Sequence, residues 1–204
     1  MRESVQLVAG LGNPGPEYAK TRHNVGFRLL DAWAGARGLS WRLASEFHGQ
    51  ICTADFEGRR VVFLKPLTYM NDSGRAVGAL ARYHKLSAVQ VAVVCDEINL
   101  PFGRAKLTTS GSAGGHNGLA SVIAHLGGDF VRYRLGVGPK QPPGIELKDY
   151  VLGRLTPEQD SLFTQALPEH LDGLNLLLAA GIDQAMNRIN RRPSIHDRSN
   201  QENV

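Results

Sequence analysis

The run Val91-Ala92-Val93-Val94-Cys95 is apolar at five consecutive positions and stops abruptly at Asp96-Glu97. Side chains of a strand point alternately to its two faces. A strand apolar at every position must therefore be covered on both, which puts this segment at the centre of a sheet with helices above and below. The apolar residues within Val5 to Ala9 read as a buried first strand, ending in the turn Gly10-Leu11-Gly12-Asn13-Pro14-Gly15. After Thr21-Arg22-His23-Asn24, the spacing of Phe27, Leu30 and Ala34, and of Leu29 and Trp33, predicts an amphipathic helix closed by Gly38. Residues 73–85 predict another, and Leu119, Val122, Ile123 and Leu126 mark the buried face of a third. Further strands are expected at residues 51–56 and 61–64, joined as a hairpin through Glu57-Gly58-Arg59, and at 104–109 and 130–137. Thr156-Pro157-Glu158-Gln159 is a capping-box start for a long C-terminal helix running towards Gly181.

Strands alternating with helices give an α/β fold. The expectation is a single domain over residues 1–190, with a mixed, mostly parallel twisted sheet flanked by helices on both faces. Residues 191–204 are polar and aperiodic, and are read as a flexible C-terminal tail. A chain of 204 residues, 42% hydrophobic and 21% charged, can bury a core without disulfides or metals. Cys52 and Cys95 lie in apolar strands and read as buried thiols. The first residues lack a basic stretch followed by a long apolar run, and no segment is long enough to span a bilayer, so a cytoplasmic protein is expected. The formal net charge of +4 permits a polyanionic partner without requiring one.

Gly10-Leu11-Gly12-Asn13-Pro14-Gly15 satisfies G-x-G-x-x-G after a strand, but the dinucleotide context is missing. Pro14 and Pro16 bracket the last glycine, the helix starts only near Asn24, and the suitably spaced acid, Asp31, lies inside it. Ser112 lies in Gly111-Ser112-Ala113-Gly114-Gly115, which lacks the G-x-S-x-G elbow of a nucleophilic serine. None of the seven histidines has metal-motif spacing, and no metal or cofactor is expected. What remains on the strand-end loops is a set of neutral amides and imidazoles, Asn13, His23, Asn24, Asn71, Asn99, His116 and Asn117, with the carboxylate Asp96. This set suits attack by water on an activated ester. A neutral imidazole such as His23 can take the proton, a carboxylate such as Asp96 can fix its tautomer, and the amides of Asn13 and Asn71 can meet a developing oxyanion.

These residues resemble the bacterial peptidyl-tRNA hydrolases. The likeness is carried by Leu7-Val8-Ala9-Gly10-Leu11-Gly12-Asn13-Pro14-Gly15 through Tyr18 to Thr21-Arg22-His23-Asn24-Val25-Gly26, and by Lys65-Pro66-Leu67-Thr68-Tyr69-Met70-Asn71 with Ser73-Gly74. It continues through Asp96-Glu97, Leu100-Pro101 and Gly103, Gly111 to Leu119, Arg134 to Gly138, and Tyr150-Val151-Leu152-Gly153. The resemblance implies cofactor-independent hydrolysis of the ester between a peptide and the 3′-terminal ribose of tRNA, by a monomer. It implies His23 as base with Asp96 as its orienting partner, and Asn13 and Asn71 positioning substrate or water. Asn117 would contact the peptide, Met70 line the cleft and Tyr18 lie beside the tRNA end. Lys106 and Arg134 match basic positions that hold tRNA phosphates, and Arg104 is a further candidate. Position 108, commonly basic in the family, is Thr108 here. Two other readings remain open at this stage: an RNA-binding scaffold that keeps the hydrolase fold, and a peptidase or general esterase.

Overall fold

Residues 4–56 and 58–191 are described in a computed structural model. The strands are β1 (Leu7–Gly10), β2 (Arg42–Ala44), β3 (Gly49–Phe56), β4 (Arg59–Pro66), β5 (Val91–Pro101), β6 (Ala105–Thr108) and β7 (Val131–Gly138). They form one seven-stranded sheet in the order β2-β3-β4-β1-β5-β7-β6. β4, β1, β5 and β7 run parallel and make its centre, while β3 with β2 on one side and β6 on the other are antiparallel additions.

The apolar alternation within β1 and β5 explains the layers. Val8, Ala92 and Val94 point to one face, where they meet Leu29, Leu30 and Trp33 of α1 (Val25–Gly35) and Phe163, Leu174 and Leu177 of α5 (Pro157–Ala180). Leu7, Ala9, Val91, Val93 and Cys95 point to the other, against Ala76, Val77 and Leu80 of α2 (Ser73–Tyr83) and Leu119 and Val122 of α3 (Asn117–Leu126). The expected α/β sheet with helices on both faces is the fold observed. Thr156 caps α5 as the sequence indicated: its Oγ1 accepts from the Gln159 N–H, and the Gln159 side chain accepts from the Thr156 N–H.

Some elements were not expected. β2 is only three residues long, and α4 (Leu147–Leu152) is a six-residue helix too short to show a repeating apolar stripe. The C-terminal helix is interrupted at Gly181, and a separate α6 (Ile182–Ile189) follows. β5 does not stop at Asp96-Glu97; it continues to Pro101 with a break in register against β7 between Glu97 and Pro101. Beyond α6, Asn190 closes the β6 edge of the sheet: its Oδ1 accepts from the Leu107 N–H at 2.8 Å and its Nδ2 donates to the Leu107 carbonyl at 2.8 Å. Of the segment read as a tail, residues 192–204 lie outside the described residues, as does Glu57 of the hairpin. No helix among the described residues is long and apolar enough to cross a membrane.

Candidate active site

The parallel strands β1, β4 and β5 deliver three loops to one end of the sheet, the position where ligands gather in such folds. Residues 22–24 make a single 3-10 turn that leads directly into α1. Two contacts hold this turn against the sheet. Gly26 lies so near the Leu11 and Val94 carbonyl oxygens that a Cβ there would meet both at 2.6 Å, so only glycine allows the helix start this close. The Asn24 side chain then clasps the backbone of Asn13, accepting from its N–H at 3.0 Å and donating to its carbonyl at 2.9 Å. Those two bonds copy one rung of a strand ladder and fix the glycine-rich loop to the histidine turn.

His23 and Asp96 are both buried, and His23 Nδ1 lies 2.7 Å from Asp96 Oδ1. An ionised carboxylate only accepts, so Nδ1 carries the proton and Nε2 is left as the basic nitrogen on the cleft side. His116 approaches the same oxygen, its Nε2 at 3.1 Å. The His116 tautomer follows from its other nitrogen, because Nδ1 accepts from the Gly118 and Leu119 N–H groups at the start of α3 and cannot carry a proton. His116 therefore donates through Nε2. The two rings lie tilted against each other at 42°, with centroids 4.8 Å apart. Burial alone would raise the pKa of Asp96, but the electrostatic attraction of the His116 and His23 rings, strongest when they are protonated, and the hydrogen bonds from both outweigh it and hold the carboxyl well below its usual range.

An amide shell surrounds this pair of imidazoles. Asn13 Oδ1 accepts from the Met70 N–H at 2.7 Å, which turns its NH₂ group towards the cleft. Met70 is buried behind it, and its sulfur packs on α3 so closely that a Cβ on Gly118 would meet it at 2.4 Å. The cleft holds roughly 600 Å³ and is lined by Asn13, Tyr18, His23, Met70, Asn71, Asp96 and Asn117. These seven residues, each given a role by the resemblance, thus come together around one cavity of small-ligand size. Asn71 and Asn117 are exposed on its walls, the first in the turn before α2 and the second at the first position of α3.

Lys106 and Arg134 lie opposite each other on β6 and β7, beside the cleft and not in it. Arg134 Nε is 3.7 Å from Glu97 Oε2, and Glu97 forms part of the cleft rim. Thr108 stands opposite Arg132, whose fully buried guanidinium is taken up by the carbonyls of Gly111, Gly128 and Phe130. Arg104 donates to the Arg191 carbonyl. Asn99, one of the turn amides, folds back onto Glu97 and does not reach the cavity. Both cysteines are free and buried, and burial pushes their thiols up, Cys52 to about 11, so neither serves as a nucleophile.

Sequence reasoning missed several lining residues. It placed His116 among the imidazoles on the strand-end loops, but did not foresee its bonds to the Gly118 and Leu119 N–H groups or its second bond to Asp96. It also missed Tyr69, 63% exposed at the rim, and the wall made by Leu147, Lys148, Val151 and Leu152. His23, Asp96 and His116 bring ligand-type atoms within 4.8 Å of one another, a grouping that no linear spacing revealed. The set fits a metal poorly. With Nδ1 of His116 committed to two amide protons, Nε2 could bind a cation only after losing its own proton.

Comparisons with known proteins agree with one another. The family model described as peptidyl-tRNA hydrolase matches residues 7–198. A peptidyl-tRNA hydrolase of Chloroflexus aurantiacus is 44% identical over 187 residues, covering 90% of this chain and 98% of the relative. One of Gloeobacter violaceus is 42% identical over 189 residues, covering 92% and 95%. The crystal structure of peptidyl-tRNA hydrolase from Acinetobacter baumannii superimposes with a TM-score of 0.85 at 37% identity, over 91% of this chain and 94% of that one.

Proposed function

This chain belongs to the peptidyl-tRNA hydrolase family and hydrolyses peptidyl-tRNA, and within that activity we propose that His23 is the general base, held in its working tautomer by Asp96. The observation that carries the proposal is the short His23–Asp96 bond, which leaves Nε2 as the one ring nitrogen able to take a proton from water in the cleft. Water adds to the ester carbonyl as His23 Nε2 takes its proton. The carbonyl oxygen becomes an oxyanion, met by the NH₂ groups of Asn13 and Asn71. Collapse breaks the bond to the ribose oxygen, and the imidazolium returns the proton to that oxygen, so peptide and tRNA leave and the site is restored. Amide donors aimed at such an oxyanion are worth about a hundredfold to a thousandfold in rate, and a general base about 10² to 10⁴.

Asn117 contacts the peptide portion, Tyr18 lies beside the tRNA end and Met70 backs the cleft wall. Lys106 and Arg134 bind tRNA phosphates through charge, without reading sequence, as suits an enzyme that acts on many tRNAs. The protein works as a cytoplasmic monomer without a cofactor, recycling tRNA for translation. An α-ammonium would have to shed water next to Asn117, whose neutral amide offers no compensating charge, so N-blocked substrates are preferred. The test is release of amino acid from N-acetylated aminoacyl-tRNA: wild type turns over, the free-amine form reacts slowly, and His23→Ala does not turn over. Full activity of His23→Ala would remove the base. Cleavage of short peptide esters at the same rate would favour a general esterase.

A further inference from the structure

Arg22 precedes the proposed base, yet it is buried and does not line the cleft. Its guanidinium joins two distant elements. Nη1 donates to the Tyr150 carbonyl at 3.0 Å in α4, and Nη2 donates to Gln159 Oε1 at 2.7 Å in the first turn of α5. The guanidinium also lies over the Tyr150 ring, 4.3 Å from its centroid. The backbone repeats this connection: Arg22 N donates to the Gly153 carbonyl, Leu155 N donates to the Lys20 carbonyl, and Thr21 forms a β-bridge with Arg154. Tyr150 is fixed at its far end by its hydroxyl, which donates to the Val137 and Pro139 carbonyls.

α4 is six residues long and supplies Leu147, Lys148, Val151 and Leu152 to the cleft. A helix of that length has no stability of its own and takes its position from what it is tied to. Its last carbonyls form the negative end of the helix, where a guanidinium is favourably placed. Among the described residues Arg22 has no carboxylate partner; its charge is met by neutral oxygens and an aromatic face.

We propose that Arg22 is a positioning residue that fastens the α4 wall to the turn carrying His23, so that substrate held against α4 is in register with the base. The proposal rests on the hydrolase reading above. His23 is held independently by Asp96, and its turn by the Asn24 clasp, so loosening α4 weakens the grip on substrate and leaves the base in place. Lysine cannot substitute, because a single ammonium lacks the planar fork that spans two acceptors and lies flat on a ring.

Steady-state turnover of N-acetylated aminoacyl-tRNA by Arg22→Lys and Arg22→Ala, with melting temperatures recorded in parallel, tests this. Losing one arm of a charged fork should raise KM about tenfold in Arg22→Lys, with kcat within about twofold. Arg22→Ala should raise KM further, and millimolar guanidinium should lower it again. A residue that only stabilises the fold would lower the melting temperature and leave KM untouched; that result overturns the proposal, as does a fall in kcat at constant KM. If Arg22→Ala does not fold, Gln159→Met removes the Nη2 acceptor from the other side and should raise KM by a smaller factor. His23→Ala run alongside separates the two readings: its full turnover sinks the base, whereas an unchanged KM in Arg22→Lys sinks only the fastening role.

Discussion

The cleft and the neighbouring β6–β7 edge carry the two halves of the proposed function, and they are built in opposite ways. In the cleft, His23, Asp96, His116, Asn13 and Asn24 are each fixed by short hydrogen bonds, most of them from residues far away in the chain. At the edge, Lys106 is exposed with no acidic partner among the described residues, and Arg134 reaches Glu97 only at 3.7 Å. Proton transfer and oxyanion stabilisation depend on distances fixed to tenths of an ångström, whereas attraction between a cation and a phosphate falls off slowly and is shared among several charges. The first region therefore requires a rigid scaffold and the second only a correct sign. This explains how the edge can carry Thr108 where the resemblance leads one to expect a basic residue.

The comparison breaks most easily at Asp96. Asp96→Asn keeps an acceptor for His23 but removes the charge that stabilises its imidazolium, and kcat should fall about a thousandfold while affinity for deacylated tRNA stays within twofold. A comparable loss of tRNA affinity would mean that the two regions are not separable. Asn24→Ala comes next. It strips both partners from the Asn13 backbone, so urea unfolding should show a loss of about 2 kcal/mol. The rate should fall about tenfold as the loop that carries the Asn13 amide loosens. Undiminished stability would show that the clasp is ornamental. On the edge, Lys106→Ala combined with Arg134→Ala should raise KM about tenfold at unchanged kcat. The salt dependence should flatten by about one unit of log–log slope per residue. A fall in kcat there would contradict a purely electrostatic edge. Smallest is Thr108→Lys, which should tighten tRNA binding about two- to threefold at low salt and lose that gain at high salt. An effect on kcat would show that position 108 reaches the chemistry.

The two regions were also unequally legible in the sequence. β1, β4, β5 and the helix after Asn24 could be read because each buries apolar side chains, and the loops at their ends followed, bringing Asn13, His23, Asp96 and Asn71 with them. The cleft wall at α4 could not be read, since six residues complete too few turns to display a period and the helix is held by Arg22, 128 residues earlier in the chain than Tyr150. The second bond to Asp96 was hidden for a similar reason. His116 lies on a loop 20 residues beyond Asp96, and only folding brings its Nε2 to that carboxylate on β5. Asp96 itself looked like a strand end because polarity begins there, yet β5 continues past it through the register break. At the edge, the sequence supplied the charges, but not that Arg104 is engaged with the Arg191 carbonyl or that Thr108 faces a buried arginine.

The Asn190 side chain on β6 bears on how the protein behaves in a crowded solution. A sheet edge is a template that recruits further strands, and natural proteins blunt it. At Leu107 one carboxamide occupies both backbone groups, so this margin cannot add a strand of another molecule there without first displacing the Asn190 side chain. The opposite margin is only the three residues of β2. A chain ended at Ile189 would keep every residue of the cleft and lose this cover. Such a truncation should retain turnover when dilute and self-associate as concentration rises, which light scattering would register.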